Sequence, residues 1–316
     1  MNNPYWDTQF FPFLGLFLKR LFTAFSGASL AADEVQIFTL ACIAISCGFL
    51  GPLLILKRAT MLANSLSHTI LLGLAISYLI AAVPLGGLGF LNLLIGAFAA
   101  ALLTAAATAL LTRFCRLQED ASIGLVFTVL FALGVIVVTL YMRDVHLGVE
   151  AVIGNVDVLR REDLVLSSIL AATSASLVLF LFWPMQTALF DFPFAKAAGL
   201  RCNVLHGMIL FLTAASCIGA FRAVGVLLVL SFLVCPYLIA RLFSNRLERL
   251  LFLSPAIGIL VSLVGVALSR HILTVSGVAL STGGMIAVLL ALIYPLATLI
   301  KRLYSALPHA KNCNSR

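Results

Sequence analysis

Apolar runs approaching or exceeding about 20 residues recur in this chain from Val35 nearly to its end. That is the length a helix needs to cross the ~30 Å hydrocarbon core of a bilayer. Nine segments stand out, near 35–56, 61–82, 88–112, 122–141, 164–183, 203–221, 223–243, 249–269 and 275–299. Composition agrees: 62% of the 316 residues are hydrophobic and only 10% charged, whereas soluble domains carry roughly 25% charged residues. The expected fold is all-α, a polytopic membrane helix bundle of eight or nine transmembrane helices. The count turns on 203–243, where only "FRAV" separates two apolar segments. A buried re-entrant half-helix is the alternative there.

The net charge of +8 does not point to nucleic acid, because the basic residues form no patch interleaved with aromatics. They sit singly or in pairs at the ends of apolar runs, where they set topology and meet anionic membrane lipid. With Val35 outside, the inside connections hold Lys57, Arg58, Arg113, Arg116, Lys196, Arg201, Arg241, Arg246, Arg249, Lys301, Arg302, Lys311 and Arg316. The outside ones hold only Arg143, Arg160, Arg161, Arg222 and Arg270. This is the positive-inside asymmetry of a multi-pass membrane protein. Residues 1–34 read as an N-terminal interfacial segment, since Lys19 and Arg20 break its Phe-rich run. A cleaved signal is the alternative, with "SGASLAA" offering small residues of the right kind. Residues 35–300 then form one transmembrane domain and 301–316 a cytoplasmic tail. The seven cysteines are scattered without a CxxC pair and read as small buried residues.

Polar residues inside apolar runs carry the functional signal. In "LKRATMLANSLSHTILLG", Asn64, Ser67 and His68 fall at i, i+3 and i+4, one stripe on one helix. Groups of this kind at membrane depth face a bundle interior or a water-filled path, and neutral imidazole ligates first-row metals. Hydrogen bonding to a neighbouring helix is the competing account. The connection "MRDVHLGVEAVIGNVDVLRRED" places Asp144, His146, Glu150, Asn155 and Asp157 on the outer face, as cation receivers or as solvated loop charges. Arg270 and His271, also outside, read as an interface anchor. In "FDFPFAKAAGLRCNVLHG", Asp191 and Pro193 start a short Ala-rich cytoplasmic helix that Gly199 can end. No GK dipeptide occurs anywhere, which excludes a phosphate-binding loop; GxSxG and HExxH are missing as well.

Four stretches together resemble the membrane subunits of the ABC-3 family, bacterial ABC importers for zinc, manganese or iron. "LKRATMLANSLSHTILLGLAISYL" is similar to its G-D-x-x-x-H-type helix, and "LQEDASIGLVFT" to the motif opening a later helix. "FDFPFAKAAGL" resembles its F-D-x-x-x-A-x-x-x-G cytoplasmic helix, with Asp191, Ala195 and Gly199 at the motif positions, and "FRAVGVLLVLSFLVCPYLIARL" its G-x-L-L…P…A-R-L run. The resemblance implies an ABC importer permease in a bacterial inner membrane, with a cytoplasmic ATP-binding subunit, an extracytoplasmic metal-binding protein and a second permease as partners. It implies no permanently bound cofactor, a transported divalent metal ion, and no enzymatic centre in this chain. Asp191, Ala195 and Gly199 become ATPase-coupling residues, and His68, Asn64 and Ser67 metal-pathway residues.

This chain departs from the family pattern in telling places. Asn64 stands where an Asp is usual and Asn155 often replaces another; Leu273 and Val275 replace the acid and proline of D-L-P-S-G. An amide brings an oxygen but no charge to offset a divalent ion's desolvation. Either weak binding suits transport, or a different second permease supplies the carboxylates. A permease for iron chelates or cobalamin, and an ion-coupled secondary transporter, are the rival functions; the latter usually shows internal repeats, and no clear repeat is visible.

Overall fold

The computed structural model describes residues 10–24, 31–57, 60–82, 90–141 and 156–306. These fold into α1 (Phe10–Ala24), α2 (Ala32–Leu56), α3 (Thr60–Ala82), α4 (Phe90–Phe114) and α5 (Glu119–Tyr141). A 3-10 turn (Val156–Val158) precedes α6 (Arg161–Phe180), α7 (Phe182–Phe190), α8 (Phe192–Ala197) and α9 (Cys202–Val224). Then come α10 (Val226–Phe243), α11 (Leu247–Ser276) and α12 (Thr282–Ala306). Among the described residues the fold is all-α, as expected.

The nine apolar segments correspond to α2–α6 and α9–α12. Seven of these are long and apolar enough over described residues to cross a membrane. The other two, α3 and α4, have 23 and 25 residues but include side chains outside the described set. Residues 203–243 form two helices of 23 and 18 residues, not a half-helix. They part at Gly225, whose φ of 84° and ψ of 163° lie where only glycine is at ease. Its neighbours Val224 and Val226 are buried, so the corner is sealed inside protein.

Acid side chains start three helices by accepting otherwise orphaned N–H groups. Glu34 accepts from the Ala31 N–H at 2.8 Å before α2, and Asp163 from Arg160 at 3.0 Å before α6. Asp191 accepts from Phe194 at 3.0 Å to open α8.

Helix α2 is the hub, packed against α6, α9, α10 and α11. A Cβ on Gly48 would lie 2.7 Å from the Pro255 backbone of α11, so this glycine sets how closely the two helices approach. Leu40, Leu50, Leu53 and Leu54 of α2 meet Leu228, Phe232 and Leu233 of α10 in the main core, which also takes Phe13 of α1. Helices α3, α4 and α5 form a second group, joined to the first through α9 and α10. Phe98 of α4 and Phe211 of α9 stack edge-to-face across this seam, centroids 5.3 Å apart. Above them an apolar cavity of about 260 Å³ opens between α4, α6 and α9. Its lining offers no polar group to an ion.

The helix ends expected outside meet in space. Asp33 of α2 pairs with Arg270 of α11, and Gln36 of α2 bonds to Asp157 of the 3-10 turn. At the opposite end, Lys301 of α12 reaches the Leu242 carbonyl of α10. Arg270 is thus no simple interface anchor: Asp33 is 1% exposed, and a buried carboxylate demands a charged partner.

Candidate functional site

The inner face of α3 is built on small residues four apart. Thr69, Gly73 and Ser77 on α3 face Gly96, Ala100 and Thr104 on α4. A Cβ on Gly73 would collide with the Gly96 carbonyl, and one on Gly96 with Ser77. The hydroxyls of Thr104 and Thr69 lie 2.9 Å apart, and Ser77 donates to the Asn92 carbonyl at 2.6 Å. This is the small-xxx-small packing by which helices associate in lipid. Its sequence signal, small residues at i, i+4, was present but not read. On α5, a Cβ at Gly134 would come within 3.1 Å of the Leu72 amide, so α3 is clasped from two sides.

His68 belongs to the flank of α3 that faces α5. Its ring lies 5.2 Å from Phe127 and 5.5 Å from Phe131, which themselves stack 5.9 Å apart. Neither phenyl ring can hydrogen-bond an imidazole nitrogen, and no hydrogen bond to His68 occurs among the described residues. An imidazole oriented by aromatic packing, with a nitrogen lone pair to give, is able to ligate a metal. Asn64 sits half-buried one turn below, at i−4. The side chain of Ser67 lies outside the described residues, so the third member of the stripe is not placed. Ser65, the neighbour of Asn64, and Ser122 of α5 keep buried hydroxyls without partners among the described residues.

The outer candidates divide. Asn155, with Asp144, His146 and Glu150, falls outside the described residues. Asp157 is a hydrogen-bond hub: its Oδ1 accepts from Gln36 Nε2 at 3.1 Å and from Thr282 Oγ1 at 2.5 Å. His271 is half-buried on α11, with Nδ1 buried and unpartnered among the described residues. No group of three His, Cys, Asp or Glu residues able to hold a metal exists among the described residues.

At the inner end, α8 is the short helix expected from "FDFPFAKAAGL". Asp191 caps it, Pro193 lies in its first turn, and Gly199 ends it with φ of 79°. The Gly199 N–H bonds the Lys196 carbonyl at 3.1 Å and the Leu200 N–H bonds that of Ala195 at 3.0 Å, a Schellman ending. Ala195 is fully buried beneath the helix, while Phe190, Phe192 and Phe194 stand exposed around it. The separate helix α7, after a break at Leu181, is not among the sequence-based expectations; the signal is Pro184, which has no N–H to bond the Phe180 carbonyl and whose ring crowds it, so the helix cannot run through.

Comparison with known proteins gives these elements a context. The chain is 37% identical over 298 residues to a probable metal transport system membrane protein of Chlamydia muridarum, covering 94% of each. It is 33% identical over 237 residues to the manganese transport system membrane protein MntD of Bacillus subtilis, covering 71% of this chain and 78% of the relative. Its fold matches a chain of PsaBC from Streptococcus pneumoniae solved in complex with Fab. That match has a TM-score of 0.73 and 24% identity, and covers 90% of this chain and 95% of the other. The model of the ABC 3 transport family matches residues 34–301. Nine long helices, the capped α8 with its glycine end and the match over most of its length together make this multi-pass membrane protein a member of the ABC 3 transport family.

Proposed function

We propose that this chain is the permease subunit of an ATP-driven importer for a divalent transition metal in a bacterial inner membrane. Similarity to relatives named for metal and manganese transport supports the substrate class. The observation that carries the site is His68, held in a spanning helix against Phe127 and Phe131 with no hydrogen-bond partner among the described residues. Its lone pair is free to meet an ion in transit, and Asn64 adds a carbonyl oxygen one turn away. Two neutral ligands alone would bind an ion only weakly, for want of a charge to offset its desolvation. The missing charge comes from carboxylates of a second, different permease.

ATP hydrolysis belongs to a separate cytoplasmic subunit. Helix α8 is its docking element: Ala195 roots the helix in the bundle, while the exposed Phe190, Phe192 and Phe194 offer an apolar surface. An extracytoplasmic metal-binding protein delivers the ion at the face bearing Asp157 and Arg270.

The test is metal uptake in vesicles holding this chain, its ATPase and a binding protein, with and without the second permease. Manganese, zinc and iron are offered in competition. ATP-dependent uptake is expected to fall at least tenfold in His68→Ala. Unchanged uptake would return His68 to helix packing and favour a wide pathway for metal chelates. Full activity without another permease would overturn the heterodimer.

A further inference from the structure

Two links close the outer end of the bundle, and they differ in whether they can open. Asp33 is 1% exposed and paired with Arg270, so parting them would take the cation from a carboxylate kept from water. Asp157 is exposed, and among the described residues its Oδ1 is held by uncharged donors, the Gln36 amide of α2 and the Thr282 hydroxyl of α12. If these bonds break, water re-solvates the carboxylate at once. Thr282 has one hydrogen and gives it to Asp157, and its hydroxyl also lies 3.1 Å from that of Ser269 of α11, whose own hydrogen is shared between Thr282 and the Leu280 carbonyl at 3.4 Å. One carboxylate thereby ties the 3-10 turn to α2 and α12 directly and to α11 through two hydroxyls.

An apolar seat backs this polar pin. Val156 is buried, and its Cγ2 lies 3.0 Å from where a Cβ on Gly283 would sit. The turn is therefore plugged on one side and pinned on the other. It follows α5 in the chain, and α5 is the helix whose phenyl rings hold His68.

We infer that Asp157 is a positioning residue of the transport cycle, the releasable clasp that holds the 3-10 turn Val156–Val158 against α2 and α12 when the outer end is closed. The inference rests on the importer reading above. It also displaces one sequence-based expectation for this residue. A bidentate cation receiver would need both oxygens, whereas Oδ1 already accepts from two donors and leaves Oδ2 alone to meet an ion. The Asp33–Arg270 pair stays shut and acts as the fixed point against which the clasp opens.

The two roles separate on substitution in the assembled transporter. Asp157→Asn keeps an acceptor oxygen for Gln36 and Thr282 but removes the charge, while Asp157→Ala removes both. A clasp predicts that Ala speeds hydrogen exchange of residues 156–160 at least tenfold and raises ATP hydrolysis without metal several-fold. Asn then stays within about threefold of wild type on both. Thr282→Val, which leaves the carboxylate intact, falls between them. Equal exchange in wild type, Asn and Ala overturns the clasp. Loss of uptake in Asn as severe as in Ala, with exchange unchanged, overturns it in favour of a charge that receives the ion. Exchange is read without transport, so a chain that imported no metal would defeat the importer reading and leave the clasp to be decided separately.

Discussion

Helices α2 and α5 are both long apolar runs, yet the bundle treats them oppositely. Of the apolar window of α2, 72% is buried within the protein; of α5, the more apolar of the two, only 17%. A soluble protein would bury the more apolar helix. Lipid tails are as apolar as leucine, so hydropathy gives a helix no reason to leave them, and packing and polar links decide burial instead. Helix α2 is drawn inside by what its apolar residues do not provide. Asp33, Glu34 and Gln36 find Arg270, Arg20 and Asp157, and Gly48 lets Pro255 approach. Helix α5 meets α3 at Gly134 and leaves Val129, Ile136 and Leu140 facing outward. The centre of the molecule is thus a polar-pinned hub, and the group bearing His68 is its flank, with an outward face that this chain's own helices leave uncovered.

The largest expected effect breaks the hub. Arg270→Ala takes the cationic partner from the buried Asp33 carboxylate, at a cost of about 3–5 kcal/mol. Thermal unfolding of the purified protein in detergent should show it as a marked fall in midpoint, with Arg270→Lys recovering part. An unchanged midpoint would mean that Asp33 reaches water, and the distinction between hub and flank would weaken.

Next come the glycines, one in each region. Gly48→Val drives a side chain into the Pro255 backbone, and Gly96→Val drives one into Ser77 and the Gly73 carbonyl. Overpacking of this kind costs about 1–3 kcal/mol or more. The consequences should differ in reach. Gly48→Val is expected to lower the yield of folded protein as a whole. Gly96→Val should expose α3–α5 to limited proteolysis while the α2-centred core stays resistant. Equal protection of both groups in both variants would show that they unfold as one unit.

This contrast explains what was legible beforehand. Segment positions followed from bilayer thickness, because a run near Val35 or Phe90 must reach across, whatever its neighbours. The start and end of α8 were legible because Asp191 and Gly199 act locally, on amides and carbonyls within a few residues. The hub was not, because Asp33 and Arg270 are 237 positions apart and each alone resembles an ordinary membrane-interface charge. Asp157 shares this difficulty: a carboxylate in an outer connection looks the same whether it awaits a cation or already holds Gln36 and Thr282. For His68 the spacing to Asn64 was visible, but the phenyl rings that orient it lie on another helix.

The smallest effect sharpens the comparison most, since it sets the same chemistry in both regions. Ser46 of α2 donates to Ser216 of α9 at 2.8 Å in the hub, and the Thr104 and Thr69 hydroxyls lie 2.9 Å apart in the flank. Thr104 also reaches the Ala100 carbonyl at 2.7 Å. Interhelical bonds of this type contribute only about 0.6 kcal/mol, because an orphaned hydroxyl can turn back onto the carbonyl one turn earlier. Ser46→Ala and Thr104→Val should therefore each shift the unfolding midpoint slightly and by similar amounts. Metal uptake should part them: Thr104→Val loosens the helix pair that carries His68, whereas Ser46→Ala touches only the scaffold. A loss of uptake in Thr104→Val alone would mark α3–α5 as the working half of the bundle. Equal losses would mean that hub and flank move together, and the burial of α2 would then be part of the mechanism and not merely its support.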